Sequence, residues 1–408
     1  MKHFSFSCQG ESHKLTNKPC QDSSLSYSED GLSIAIVCDG HGGERYFRSD
    51  VGSRLCTKIT EEAIKQFVSN VDKNLFLNKP FTQKKAISET DTFDKLNDTD
   101  KVLRHLFSSI ILAWNTEVEL HAKSNPPSES ECEKVPLQYL EALRNNVSLE
   151  KIYGCTLMAY VQTSEYWFAF HLGDGKCISF HDEEPNIWKE PIPWDERCFL
   201  NKTTSICDSA ALDEFRFCYQ GDGNFPTMII LGSDGMDDSF GPIENMVDFY
   251  MQIAKLLFNE GELETQESLK ETLPALSKRG SQDDMSIAYI YNSKKLDALV
   301  PQIISQQIEK LEVLLSKNLL QINELENKVH SLENSNEQKD IIELNYAIKD
   351  IEKLKNTRAS LEIKLESRND ELCSLKSIKN DCTKERINNK KYKRLNRKRK
   401  KRKHKKNK

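Results

Sequence analysis

The chain has 408 residues, 30% of them charged and 38% hydrophobic, with a formal net charge of −5, and its length suits two or three domains. It has no apolar run of the ~18 residues needed to cross a membrane, and Met1–Cys8 lacks the apolar core of a secretory signal. Its 12 cysteines are scattered without CxxC pairs or a histidine array; this excludes a zinc framework and predicts reduced thiols in a cytoplasmic protein.

Phe4–Cys8 reads as a strand, followed by Gly10-Glu11-Ser12-His13 and Lys18-Pro19-Cys20-Gln21-Asp22. The β-branched run Leu32–Cys38 reads as a buried strand and opens into Asp39-Gly40-His41-Gly42-Gly43. Helical spacing begins near Glu44, with Val51, Leu55, Ile59, Ala63 and Phe67 on one face. Residues 70–100 are polar and unpatterned and predict a surface insertion. A helix over Val102–Lys123 and a loop at Pro126–Glu129 follow.

Gly154–Val161 and Tyr166–Leu172 predict an antiparallel hairpin turning at Gln162–Glu165, and the second run ends in Gly173-Asp174-Gly175. Residues 185–223 are irregular and do not read as a core element. Met228–Leu231 runs into Gly232-Ser233-Asp234-Gly235-Met236-Asp237-Asp238, and helices follow over Ile243–Phe258 and Glu264–Leu276. Gly280-Ser281-Gln282-Asp283-Asp284 directly precedes the strand Met285–Tyr291. Strands clustered with helices, without βαβ alternation, predict an α+β sandwich.

Four times an apolar strand borders a glycine-rich turn carrying aspartate. Such carboxylates, with neither thiol nor clustered imidazole, suit hard cations such as Mg²⁺ or Mn²⁺. In their order and spacing the four segments resemble the metal-dependent protein phosphatases of type 2C, over about Lys2–Asn292. The resemblance implies two antiparallel β-sheets packed face to face with helices outside. It also implies hydrolysis of phosphoserine and phosphothreonine proteins by a metal-activated water. By resemblance Asp39 bridges two ions, the Gly40 carbonyl joins one, and Asp234 and Asp283 complete the other. Asp174 and Asp238 match a third, looser metal position.

Asp237 and Asp284 are adjacent carboxylates with turn or solvated roles as alternatives. His41, beside the bridging aspartate, is either the general acid for the leaving alkoxide or a turn histidine. His171, inside a strand, reads as packed core. The chain departs from the family pattern twice. No arginine lies between Glu11 and Asp22 to grip phosphate, leaving His13, Lys14 or Lys18 as substitutes without a bidentate fork. The expected acidic pair reads Gln21-Asp22, so Asp22 alone remains to hold metal through water.

Ile308, Leu311, Leu315, Ile322, Leu325, Val329 and Leu332 recur in steps of three and four, with Asn318 at the missing seam position. Leu344, Ala347, Ile351, Leu354, Leu361, Leu365, Leu372 and Leu375 repeat the pattern in a shifted register, with Arg358 and Arg368 on the seam. This is coiled-coil sequence, broken at Glu333–Gln338, and it forms either a hairpin or a rod that joins chains as an oligomer. Residues 384–408 hold 16 Lys/Arg against Glu385 alone, a net +15, so the rest of the chain carries −20.

The expected organisation is a phosphatase domain over 1–295, a coiled coil over 296–380 and a basic disordered tail over 381–408. The tail suits a polyanion (RNA, DNA or an anionic membrane), with a solvated tail or a nuclear-import signal as alternatives. Rival readings are a weakly active or inactive phosphatase-like scaffold, and a nucleic-acid-associated coiled-coil protein with a regulatory phosphatase domain.

Overall fold

The computed structural model of the chain describes all residues except 88–95, 134, 146–147, 183–185, 199–201, 334–337 and 407–408, and no side chains at 338–339 or 376–406. The chain divides into two compact units, Met1–Leu299 and Val300–Lys408.

The first unit contains strands β1 (Lys2–Cys8), β2 (Ser23–Glu29), β3 (Leu32–Cys38), β4 (Thr82–Lys84), β5 (Leu157–Gln162), β6 (Trp167–Leu172), β7 (Lys176–Phe180), β8 (Trp188–Lys189), β9 (Arg216–Gln220), β10 (Met228–Gly232) and β11 (Met285–Tyr291). Its helices are α1 (Glu11–Thr16), α2 (Ser49–Asn70), α3 (Asp98–Ser124), α4 (Glu129–Cys132), α5 (Leu137–Arg144), α6 (Ala211–Glu214), α7 (Asp234–Phe240), α8 (Ile243–Asn259) and α9 (Glu262–Arg279). The strands form two antiparallel sheets, ordered β1-β11-β10-β7-β8 and β2-β3-β5-β6-β9-β4.

Alternation in β3 shows why its apolar run is continuous. Ala35 and Val37 pack with Leu231, Ala288 and Ile290 of the opposing sheet, while Ile34, Ile36 and Cys38 join Cys56, Ile59 and Trp114 of α2 and α3. Both faces are buried, so each large apolar side chain contributes about 1.5–3 kcal/mol. On the outer face of the other sheet, α8 lies close enough for the Tyr250 hydroxyl to abut Gly232, and α9 meets β1 and β11. A capping box between Asn97 and Asp100 starts α3.

Three segments differ from the sequence expectation. The 70–100 stretch is more than a surface insertion: β4 closes one sheet edge on β9, and Phe76 is fully buried, stacked 4.3 Å from Tyr166. The 185–223 stretch contributes β9 to the sheet, its pattern obscured because Arg216 and Gln220 are buried polar residues. Beyond the expected loop, which holds at 126–128, lie two short helices that the sequence reading did not assign, α4 and α5.

The second unit is built on α10 (Leu296–Leu332), whose first residues close the first unit, and α11 (Gln338–Lys406). Asn318 Nδ2 donates to Leu354 O at 3.3 Å, Lys355 pairs with Glu326 at 2.8 Å and Lys328 with Glu343 at 2.6 Å. The helices therefore run antiparallel, a hairpin within one chain that buries Ile322 and Ala347. The register break falls mostly on 334–337, outside the described residues. Backbone helix continues to Lys406, where the sequence reading places a disordered tail; Lys and Arg are good helix formers even without an apolar seam.

Candidate metal centre

Strand register gathers the aspartates at one end of the sandwich. Cys38 at the end of β3 pairs with Ser23 at the start of β2, so Asp39 and Asp22 emerge side by side. In the other sheet Gly232 pairs with both Lys176 and Ile287. Asp234, Asp174 and Asp283 therefore leave from neighbouring strand ends. Two glycines permit the close packing. A Cβ on Gly10 would lie 2.3 Å from the Asp283 carbonyl carbon, and one on Gly235 2.0 Å from Asp284 O.

The electrostatics report how tightly the carboxylates gather. Burial, then Asp22 and Asp234, pushes Asp39 well above the usual carboxylate range. Burial, then Asp284 and Asp234, does the same to Asp22. Burial and Asp234 push Asp174 up to about 6, and the same two causes raise Asp238 and Asp283. Asp234 thus faces Asp22, Asp39, Asp174, Asp238 and Asp283. Burial also raises Asp237, against the pull of Lys176 3.9 Å away. Mutual repulsion among carboxylates, offset in part by Lys176 beside Asp237 and by His13 beside Asp283, is the donor chemistry that hard divalent cations relieve. The residues fit Mg²⁺ or Mn²⁺.

Asp284 behaves differently. Burial would raise it, but His13 Nδ1 at 3.0 Å and the amides of Gly10 and Gln21 hold it below its ordinary value. Ligand atoms of His13, Asp283 and Asp284 lie within 4.8 Å of one another, and His13 Nδ1 already pairs with the Asp284 carboxylate. His13, a candidate for phosphate, is thus buried and has its Nδ1 committed to a carboxylate. Lys18 Nζ donates to Gly42 O at 2.9 Å, next to His41, and Lys14 pairs loosely with Glu11 at 3.9 Å.

Gly40 is buried against Gln21 and bridges to Cys155. Asp39 is locked to Thr156 by two bonds: its amide donates to Thr156 Oγ1 at 3.0 Å, and its carbonyl accepts from the Thr156 amide at 2.7 Å. His41 sits half-buried, its amide bonded to Gly154 O and its ring edge-on to Tyr46 at 4.7 Å. Burial lowers its imidazole to about 4, opposed by Asp208 and Asp234, so without metal the ring is neutral.

Some supporting residues were missed from the sequence. The Gln21 amide donates to Ser49 Oγ at 2.5 Å and to His41 O at 3.3 Å, which a carboxylate cannot do; this gives the Gln21 departure a physical role. Buried Arg216 donates to Gly173 O at 2.5 Å and His171 Nδ1 at 3.1 Å, holding the turn before Asp174. Nothing local in the sequence signals either contact.

Two antiparallel sheets flanked by helices, with strand-end aspartates converging at one end, make up the fold and the candidate site. The chain belongs to the Protein phosphatase 2C family, which matches it over residues 9–274, a span that stops short of Asp283. No curated protein matches the chain. Among solved structures, a bacterial serine phosphatase is 15% identical with a TM-score of 0.41, covering 71% of this chain and 96% of its own. Stp1 from Staphylococcus aureus is 14% identical with a TM-score of 0.40, covering 72% and 95%. A C. elegans sex determining protein is 13% identical with a TM-score of 0.43, covering 74% and 67%. Likeness at this level adds nothing to what the sheets already define.

Proposed function

We propose that this chain is a cytoplasmic, Mg²⁺- or Mn²⁺-dependent phosphatase of phosphoserine and phosphothreonine proteins. Family membership supports a serine/threonine phosphatase, and free thiols at every described cysteine agree with a reducing compartment. The observation that carries the metal dependence is the set of carboxylates converging on Asp234. When bound, two such ions supply Lewis acidity and a water of lowered pKa. Asp39, Asp234, Asp283 and the Gly40 carbonyl would hold them, Asp174 and Asp238 a third, with Asp22 behind. Thr156 and Gln21 fix the loop that presents Asp39 and His41. Lys18 lies beside His41, donating to the Gly42 carbonyl. His41 can give a proton to the leaving alkoxide, though its neutral ring must first acquire one.

Hydrolysis of p-nitrophenyl phosphate and a phosphothreonine peptide with Mn²⁺, Mg²⁺ or EDTA tests this. Turnover with metal and none with EDTA is expected; turnover indifferent to EDTA, or none at all, overturns it. The absence of turnover would favour the scaffold reading, for which the engagement of His13 by Asp284 speaks. For the C-terminus we propose that the hairpin carries the basic stretch 384–408 to a polyanion such as RNA, DNA or an anionic membrane.

A further inference from the structure

Two arginines follow the DGHGG turn, and the structure treats them differently. Arg48 is buried and matched: it donates to Glu131, to Asn125 O and Pro126 O, and to the Tyr153 hydroxyl. Arg45 is half-buried, and among the described residues it makes no ion pair. Its guanidinium lies 4.1 Å from the Tyr139 ring centroid and 5.7 Å from that of Tyr46. An arginine held by two aromatic rings loses little further freedom when it binds an anion.

Its position matters because Tyr46 links it to the site. The Tyr46 ring meets His41 at 4.7 Å, and both rings crowd Gly154, where an added Cβ would lie 2.8 Å from His41 and 3.0 Å from Tyr46. The neighbouring cation, Lys151, is neutralised by Asp208 at 2.8 Å. Arg45 is therefore a cation on the His41 flank, beside exposed Glu44 and, among the described residues, paired with no carboxylate. Tyr139 comes from α5, so this clamp combines the turn with a separate helical segment.

Building on the phosphatase reading, the geometry points to Arg45 as a specificity-determining residue that receives an anionic side chain flanking the phosphoresidue of the substrate. The path through the Tyr46 ring, 5.7 Å from Arg45 and 4.7 Å from His41, puts the two groups no more than about 10 Å apart, within the reach of two to four residues of extended peptide. The anion is a carboxylate or a second phosphate, both of which fit a guanidinium fork.

The test uses the full chain and fluorescent phosphothreonine peptides in Mn²⁺. The peptides carry glutamate, phosphoserine or glutamine two to four residues from the phosphothreonine, on either side. Anisotropy gives affinity and phosphate release gives kcat/KM. The wild type should favour at least one anionic position about 3- to 10-fold over glutamine, a preference that shrinks as salt rises. Comparing glutamate with phosphoserine identifies the source of the charge. Arg45→Ala should abolish the preference, Arg45→Lys should retain part of it, and Arg45→Glu should reverse it. A wild type without preference, or a preference that survives Arg45→Glu, overturns the inference. If no peptide is hydrolysed the phosphatase reading fails, while the affinity ratios still decide the subsite. Should a variant misfold, the salt dependence of the wild-type ratio remains decisive.

Discussion

Asp39 and Asp234 lie among the converging carboxylates, so replacing either with asparagine removes a negative charge as well as a candidate metal ligand. Asp39→Asn and Asp234→Asn should each abolish metal-dependent hydrolysis without lowering the melting temperature of the metal-free protein. The upward shift that Mn²⁺ produces in the wild type should be lost. Unchanged turnover in either variant, at metal in slight excess, would contradict the assignment. For His41, the two roles separate by leaving group. As a general acid, worth ~10²–10⁴-fold, its replacement by alanine should slow phosphopeptides far more than p-nitrophenyl phosphate, whose leaving group needs little protonation. Equal losses on both would leave His41 a turn residue bracing the Asp39 loop through Gly154 and Ser49.

At the scale of elements, α4 is clasped to the start of α2 by Arg48 and Glu131. The hydrogen bonds from Arg48 lead the causes that hold Glu131 down to about 2, below its ordinary 4.5. A depressed carboxyl stabilises the fold above the unfolded value, and that contribution disappears as pH falls through the folded one. The melting temperature of wild type relative to Glu131→Gln should therefore be highest above pH 4.5 and converge near pH 2. A difference independent of pH would mean that the pair does nothing through charge. In the hairpin, Asn318 is buried with one bond to Leu354 O, and its Oδ1 has no partner. Asn318→Leu should raise the thermal stability of the helices yet loosen their pairing, since a lone seam asparagine fixes register. Sedimentation showing mixed masses would reveal the loosening; a lower melting temperature would refute it.

For the whole molecule, the division at Leu299 predicts that a chain ending there folds and keeps metal-dependent turnover, because Leu296 and Leu299 are buried within the first unit. Since the seam pairs within one chain, both the truncated and the full protein should sediment as monomers. Removing 384–408 alone should leave turnover and mass unchanged but eliminate binding to RNA, DNA or anionic vesicles, which in the full chain should weaken steeply with salt. Equal binding by the shortened chain would make the stretch a solvated appendage.

Much of the sandwich was legible because β3, β6, β10 and β11 are apolar runs that report burial residue by residue, and each borders an Asp-Gly or Asp-Asp turn. Ordinary periodicity likewise announced α2, α8, α9 and the two seam helices. β9 was illegible because Arg216 looks like surface until Gly173 O and His171 are brought to it. The same holds for His13, whose partner Asp284 lies 271 positions away, and for the Arg45 clamp, which needs α5. The choice between hairpin and rod was likewise open in the heptads, since either buries the same leucines. Local pattern records whether a side chain is buried, whereas charge balance and partner choice depend on the register of strands far apart in the chain; these only the tertiary structure decided.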